Sequence, residues 1–557
     1  MSECKKNNCN LNTYDKFEEC ILHCSKKELD YFTIRSDFYN AIESYVADHT
    51  IDNNGFCHFL EIAFPKPDVQ SSINYIKILK PLKQIHFDNC HFFTRNINLN
   101  NPEFFFQECY FHDYWTLYNF KLLQNIDDVI YQSCEFSKNV STYTPDDSDT
   151  WLYKYDNSQF DYTCTFKEDI EFYRASFVLS PFNGNQDNYE NNTFNKLLIE
   201  KCEFNTFEIY FKNQENGEIE FKSSTIKSKF KIRSEESGSY EEQQNNKAKL
   251  KTLKIIDCHI DDNAYLRIGY LEIDEFILSN LRNPHNSELN IGDCHFNNFS
   301  LSNFRNIGRL KLYKLNVSSD EKGNLFQIDN TSIGNADFQA ICLTSFTTVR
   351  LFDNIFSNIR YTNMQWKEII EVGQFNDDGI TEIAKKRDTY RVLKNVAQDN
   401  NDQPQSLLFY AKEMSHHKDL TIENRCRRSN FDKNYLEKIF CKSKFCWMKE
   451  GRLPDIVTLI FNEKTNNFGL NWWQPVKLLL LITLLAYPLL LLSLNNTDNT
   501  VIFWKNIFVF INPAHSTEFI AKGCWTGTTY FIDFTYRVIE GLLIYQTIVA
   551  FRKFTKK

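Results

Sequence analysis

Glycine is scarce in this chain, with 16 in 557 residues, which excludes a low-complexity or linker-like polymer. A basic excess is missing as well: 63 Lys and Arg stand against 72 Asp and Glu, a formal net charge of -9. General nucleic-acid binding calls for a basic domain, so nucleic acid is not an expected partner. There is no nucleophile elbow, no Walker-type phosphate loop, no dinucleotide fingerprint and no HExxH zinc helix. Carboxylates are numerous but scattered, and the chain reads as a non-enzyme; the alternative is a set of distant Asp residues gathered on one face of a solenoid. The opening residues MSECKKNNCNLNTYDKFEEC contain no apolar run of the kind a secretory signal needs. Asn-Gly hairpin turns are few, which weighs against a β-sandwich, the competing arrangement for the repeats that follow.

What the chain has in quantity is aromatic residues, 15% of the total with Phe contributing 50, and cysteine, of which there are 17. Across 73–372 one motif keeps returning: alternating apolar residues, then Cys, any residue, and an aromatic or aliphatic one. Copies are IHFDNCHF from Ile85, FFQECYF from Phe105, VIYQSCEF from Val129, LLIEKCEF from Leu197, LKIIDCHI from Leu253 and LNIGDCHF from Leu289. RLKLYKLNV from Arg309 and VRLFDNIF from Val349 are relatives without the cysteine. Period-two alternation buries one face of each segment, and the shortest spacings of about twenty residues match a solenoid rung. The pattern predicts a mainly β chain built on a right-handed parallel β-helix over 73–372. Phe87, Cys90 and Phe92 should point inward and stack on counterparts in neighbouring coils. The wide gaps from Cys164 to Cys202 and on to Cys258 imply protruding loops, one of them Ser234 to Asn246. The repeated cysteines from Cys90 to Cys294 are expected to be reduced core thiols in a cytosolic body, with His91, His259 and His295 turned outward.

Residues 1–72 precede the repeats as an N-terminal cap region, with helical spacing over Lys26 to Thr50. Cys4, Cys9, Cys20, His23 and Cys24 fall within twenty-one residues of one another. Thiol and imidazole donors in such a group suit a structural zinc, which takes four of them in a tetrahedron. The plain alternative is a set of reduced thiols beside a half-buried histidine. Cys441 and Cys446 form a further C-x4-C pair without partners nearby in sequence.

A polar boundary, Gly373 to Asp388, leads into two helical patterns, Thr389 to Asp399 and Gln405 to Lys418, joined by a turn ending at Pro404. They read as one TPR-like helical hairpin within a segment, 385–450, that closes with the basic run Arg425 to Arg452. Residues 451–557 read as a two-span membrane domain. Val476 to Leu494 carries one charge, Lys477, and would make roughly 28 Å of helix, close to the hydrocarbon thickness of a bilayer. Val538 to Phe551 is a second apolar run, followed by Arg552, Lys553, Lys556 and Lys557. The intervening loop has Lys505 and Lys522 as its basic residues, so the positive-inside rule puts both termini in the cytoplasm. Trp472, Trp473, Arg552 and Lys553 fit the membrane interface. Asp533, Arg537 and Glu540 lie four and three apart on one helical face, where ionisable groups at membrane depth would line a polar path in an oligomer. Alternatively, Asp533 and Arg537 pair at the interface and the span begins at Val538.

Three signatures carry a family resemblance. The first is CILHC (Cys20 to Cys24) with IAFP (Ile62 to Pro65). The second joins Tyr390, Arg391, Leu393 and Lys394 to Phe409, Tyr410, Glu413 and Met414. The third is FGLNWWQP (Phe468 to Pro475) with IVAFRKF (Ile548 to Phe554). Together they resemble bacterial pentapeptide-repeat-like membrane proteins whose β-helix precedes a two-helix, ion-channel-like C-terminus. Channel members carry a TxGYG-type pore loop, and the stretch Ile511 to Phe531 has none, so cation selectivity by that route does not carry over. The resemblance implies an integral inner-membrane protein. Its cytosolic β-helix would sense or bind an unknown protein or ligand, coupled to a channel-like or membrane-permeabilising homo-oligomer in contact with lipids. The alternative is a membrane-anchored interaction scaffold without transport. No cofactor is expected beyond the N-terminal zinc.

Overall fold

Strand after strand of the repeat region buries alternate side chains, as in Gln84–Asp88 and Ile170–Tyr173, because a pleated strand sends successive residues to opposite faces. The computed structural model describes residues 3–6, 9, 11–14, 17–24, 31–50, 55–65, 78–97, 102–123, 129–143, 152–183, 194–211, 217–234, 247–318, 323–371, 382–428, 453–494, 502–520 and 524–555. Side chains are described for these except at 31–36, 424–428, 453, 502–505 and 553–555. The chain divides into two compact units, Met1–Glu371 and Val372–Lys557.

The first unit is a parallel β-solenoid of about ten coils, as the alternation predicts. Its first coil starts at Phe56–Leu60, inside the segment read from sequence as cap, and this strand lies in register on Gln84–Asp88. Stacking in register places like on like. Phe64, Phe92, Phe111, Phe136 and Phe166 form one ladder, with successive ring centroids 5.0, 4.9, 4.5 and 5.0 Å apart. Phe59, Phe87, Phe106, Tyr131 and Phe160 form another, at 5.1, 4.9, 4.8 and 5.4 Å. Such offset stacks add to the area that each ring buries, and they account for the phenylalanine excess.

The cysteines mark corners. Asn89, Glu108, Ser133, Lys201, Asp257 and Asp293 each have φ between 50° and 55°, and each immediately precedes a buried cysteine. The residue after each left-handed corner points inward, and at these six it is cysteine. Later coils put Leu281 and Phe304 in the cysteine's place, and two positions further on they carry Asn283 and Asn306 where an earlier coil has Ile260. Asn283 Nδ2 donates to Asn306 Oδ1 at 2.6 Å, and Ser287 Oγ donates to Asn283 Oδ1 at 2.5 Å. His91 and His295 are half-buried and His259 is exposed, so all three do face away from the core. Lys–Glu pairs bridge adjacent coils on the outside, among them Lys254–Glu275 and Lys311–Glu288, both at 2.7 Å.

Helix α1 (Tyr31–His49) lies against the first coil. Phe38 meets Phe64 edge to face at 6.1 Å, and Tyr45 stacks on Phe59 at 5.7 Å. A solenoid needs such cover at its open end.

The second unit is helical: α2 (Glu382–Asp399), α3 (Gln403–Arg428), α4 (Leu453–Asn466), α5 (Trp473–Leu492), α6 (Ile502–Phe510) and α7 (Gly527–Thr555). The α2–α3 hairpin buries Tyr390, Leu393, Val396 and Ala397, the face that periodicity singles out. α2 begins earlier than expected, at Glu382, and ends at Asp399 as expected, while α3 runs past both expected ends. Among the described residues α5 alone is long and apolar enough to cross a membrane. The expected second span is the C-terminal half of α7, a helix of 29 residues that also contains Asp533, Arg537 and Glu540. Of the basic run, Arg425 to Arg428 end α3, whereas 429–452 with Cys441 and Cys446, the loop after Ser234 and the side chain of Lys553 lie outside what is described.

Candidate functional site

Two groups of polar side chains stand out, one in each unit. In the helical unit α5 and α7 run antiparallel: Trp472 meets Phe551 at 5.8 Å, Thr483 Oγ1 lies 2.7 Å from Tyr536 OH, and Ser493 Oγ donates to Thr529 Oγ1 at 2.9 Å. Tyr487, Leu490, Ile507, Phe510 and Tyr536 build the apolar centre between α5, α6 and α7. Asp533 opens into this centre. Its Oδ1 is 2.9 Å from His515 Nε2 and its Oδ2 is 2.9 Å from Arg537 Nε. Glu540 is 0% exposed, and neither carboxylate oxygen has a hydrogen-bond partner among the described residues.

The sequence-predicted trio is therefore on one face of α7, and that face is turned inward on the chain's own helices. The residues outside are apolar, with Leu481, Leu485 and Leu492 exposed on α5 and Phe531, Phe534 and Tyr545 on α7. Trp472 and Trp473 are exposed at the start of α5, and Arg552 is exposed near the end of α7. His515 went unremarked in the sequence. Its partner lies eighteen positions on, and no periodicity links a loop residue to a helix face.

In the N-terminal segment, one ligand atom from each of Cys4, Cys9, Cys20 and His23 lies within 4.8 Å of all the others. Cys20 Sγ is 3.1 Å from His23 Nδ1, Cys4 Sγ is 3.5 Å from the same nitrogen, and Cys9 Sγ is 3.5 Å from Cys20 Sγ. A tight turn makes this convergence: the N–H groups of His23 and Cys24 both donate to Cys20 O, at 3.1 and 2.9 Å. Cys24, grouped with the others from sequence, stands apart, and its thiol reaches Ile21 O at 3.9 Å. Burial pushes the Cys20 thiol up to about 12 and raises Cys9 too, so without a cation these groups are neutral thiols.

The corner cysteines offer no such chemistry. Each is buried with its thiol turned to backbone carbonyls, as Cys134 Sγ is to Gln132 O at 3.3 Å. In the α2–α3 hairpin, Lys394 Nζ donates to Glu413 Oε2 at 2.7 Å. Neither a protein-family model, nor a curated protein, nor a solved structure matches the chain.

Proposed function

We propose that the chain is an integral inner-membrane protein whose solenoid, a right-handed coil of the pentapeptide-repeat-like kind, is a sensing or interaction body. Its helical unit is a two-span, channel-like or permeabilising element that works as a homo-oligomer. The observation that carries this reading is Glu540, fully buried and without a hydrogen-bond partner among the described residues, three positions past Arg537. A carboxylate at membrane depth is costly, and such groups are kept where they serve a polar path or a partner. The outward Leu and Phe residues of α5 and α7 suit lipid or a second copy of the chain. The second crossing is assigned to α7 from its antiparallel pairing with α5. Trp472, Trp473, Arg552 and Lys553 take the interface, and both termini the cytoplasm. Two crossings cannot enclose a pore in one protomer, hence the homo-oligomer.

A second reading is a membrane-anchored scaffold that binds its partner through the solenoid and transports nothing. It is favoured by Asp533, whose two oxygens are already met by His515 and Arg537 within a single chain. Cross-linking in isolated membranes, followed by ion flux from liposomes holding the purified full chain, separates the two. A conducting oligomer cross-links beyond the monomer and loses flux with Glu540→Leu or Arg537→Leu. A strict monomer that leaves liposomes tight refutes the conducting reading and leaves the scaffold.

A further inference from the structure

We propose that Cys4, Cys9, Cys20 and His23 bind one zinc ion, and that this ion clasps the N-terminal segment onto the open edge of the first solenoid coil. This is independent of what the helical unit does.

Geometry comes first. With Zn–S of about 2.3 Å and Zn–N of about 2.0 Å, a tetrahedral site has ligand-to-ligand edges of roughly 3.5–3.8 Å. The close pairs here are 3.1 and 3.5 Å, and no pair exceeds 4.8 Å. Side-chain rotations that move ligand atoms by up to about 1 Å close the tetrahedron. Three thiolates and one imidazole nitrogen leave no open coordination position, which is the pattern of a structural rather than a catalytic site. Sulfur-rich tetrahedral donors also select zinc over magnesium or calcium, which take oxygen.

The place of the cluster says what the ion would hold. Along the solenoid, the residue after each corner donates its N–H to the coil before it: His91 to Ile62 O at 2.9 Å, Tyr110 to Cys90 O at 2.8 Å and Glu135 to Cys109 O at 2.8 Å. Among the described residues no coil precedes the first one. Ala63 instead donates to Leu22 O at 2.8 Å, so the turn holding Cys20 and His23 stands in for the missing coil. Lys6 Nζ adds an ion pair to Glu61 Oε2 at 2.7 Å, at the left-handed corner itself. An uncovered first coil would present unpaired N–H and C=O groups to other chains.

The described residues of the segment give it little apolar hold there. Among the described residues 3–24, Ile21 and Leu22 are the buried aliphatic side chains. A stretch with so small a core needs a metal or a cross-link to keep one conformation.

The test uses the full chain, purified in detergent under reducing conditions. Metal analysis should return one zinc per chain, falling to background in Cys20→Ser and staying at one in Cys24→Ser, the buried neighbour outside the cluster. Replacement of the native ion with Co2+ in the unmutated chain should give the visible bands of a tetrahedral thiolate site, a readout that does not rely on any variant folding. Three results would each overturn the proposal: no metal even after equilibration with Zn2+, equal loss in Cys24→Ser and Cys20→Ser, or a Cys9–Cys20 disulfide in the chain as isolated.

Discussion

The backbone N–H of Cys202 donates to the hydroxyl oxygen of Ser224 at 3.1 Å, so the corner of one coil rests on the corner of the next. Ser224 holds in its coil the place that Cys202 holds in the coil before. Its hydroxyl donates to Lys222 O at 2.8 Å, as the Cys202 thiol does to Glu200 O at 3.3 Å. Thr331 repeats the arrangement with Asp329 O at 2.7 Å. At these corners a small side chain with one donor fills the place and sulfur is not essential, whereas others take Ile62, Leu281 or Phe304. Cys202→Ser is expected to stay within about 1 kcal/mol of the native chain, since the hydroxyl keeps the bond. Cys202→Leu should lose about 1–3 kcal/mol through overpacking. Urea unfolding followed by circular dichroism of the strand signal measures both.

The same burial makes an alkaline prediction. Cys202 and Cys294 are pushed up to about 12 and Cys258 to about 11 from an ordinary 9.0, because a thiolate cannot be solvated there. The folded-state value lies above the unfolded one. Stability from these corners is therefore complete below pH 9, declines above it as the unfolded thiols ionise, and is gone once pH passes the folded values. The urea midpoint should fall from pH 8 to pH 10, and Cys202→Ser should fall less steeply. Iodoacetamide at pH 8 should leave Cys202, Cys258 and Cys294 unlabelled until denaturant is added, since the thiolate is the nucleophile. Labelling of all three in the native chain would show that the corners open.

How much of this was legible in the sequence divides along the range of the interactions. The solenoid was, because alternation and the Cys-x-aromatic repeat are local and recur with every coil. So were the buried face of α2 and the inward stacking of Phe87 and Phe92. The cluster of Cys4, Cys9, Cys20 and His23 was found because its members are close in sequence, but proximity also drew in Cys24, which the turn sends elsewhere. Contacts between distant positions stayed hidden. His515 with Asp533 is one case, and the substitution of Leu22 for a missing coil is another, since neither leaves a periodic trace. The start of the first coil at Phe56 escaped for a related reason: its corner has Ile62 in place of cysteine.

An asparagine stack in the later coils is the polar counterpart of the phenylalanine ladders. Asn283 is 0% exposed and Asn306 is 3% exposed. Besides accepting from Asn283, Asn306 donates through Nδ2 to Gly334 O. Leucine at 306 would fit the apolar surroundings but strand the Gly334 carbonyl and weaken the hold on Asn283. Asn306→Leu should cost about 1–3 kcal/mol for buried groups left unpaired. Gly308 is held nearby by close backbone approach, since a Cβ there would collide with the carbonyl oxygens of Pro284 and Ser287. Gly308→Ala should therefore destabilise by a comparable amount. Hydrogen exchange should show the loss concentrated in strands around 282–339, and uniform loss over all coils would contradict a nearest-neighbour stack.

The helical hairpin depends on one enclosed ion pair. Lys394 and Glu413 are 2.7 Å apart with side chains 18% and 8% exposed, and the Lys394 ammonium also lies 5.9 Å from the centre of the Tyr410 ring. Removing one member strands a charge in this largely enclosed place beside the Tyr410 ring. Breaking a fully buried pair costs about 3–5 kcal/mol, and the partial access of Lys394 to water brings the expected loss for Glu413→Leu down to about 2–3 kcal/mol. Glu413→Gln keeps a hydrogen-bond acceptor and should lose about half as much. The double variant Lys394→Leu with Glu413→Leu removes both desolvation penalties, so it should be more stable than Glu413→Leu alone. A double-mutant cycle on thermal unfolding of α2–α3, followed by hydrogen exchange over 382–423, reads the coupling directly. Additive losses would mean that the two charges are solvated and that packing of Leu393, Val396 and Ala397 holds the hairpin without them.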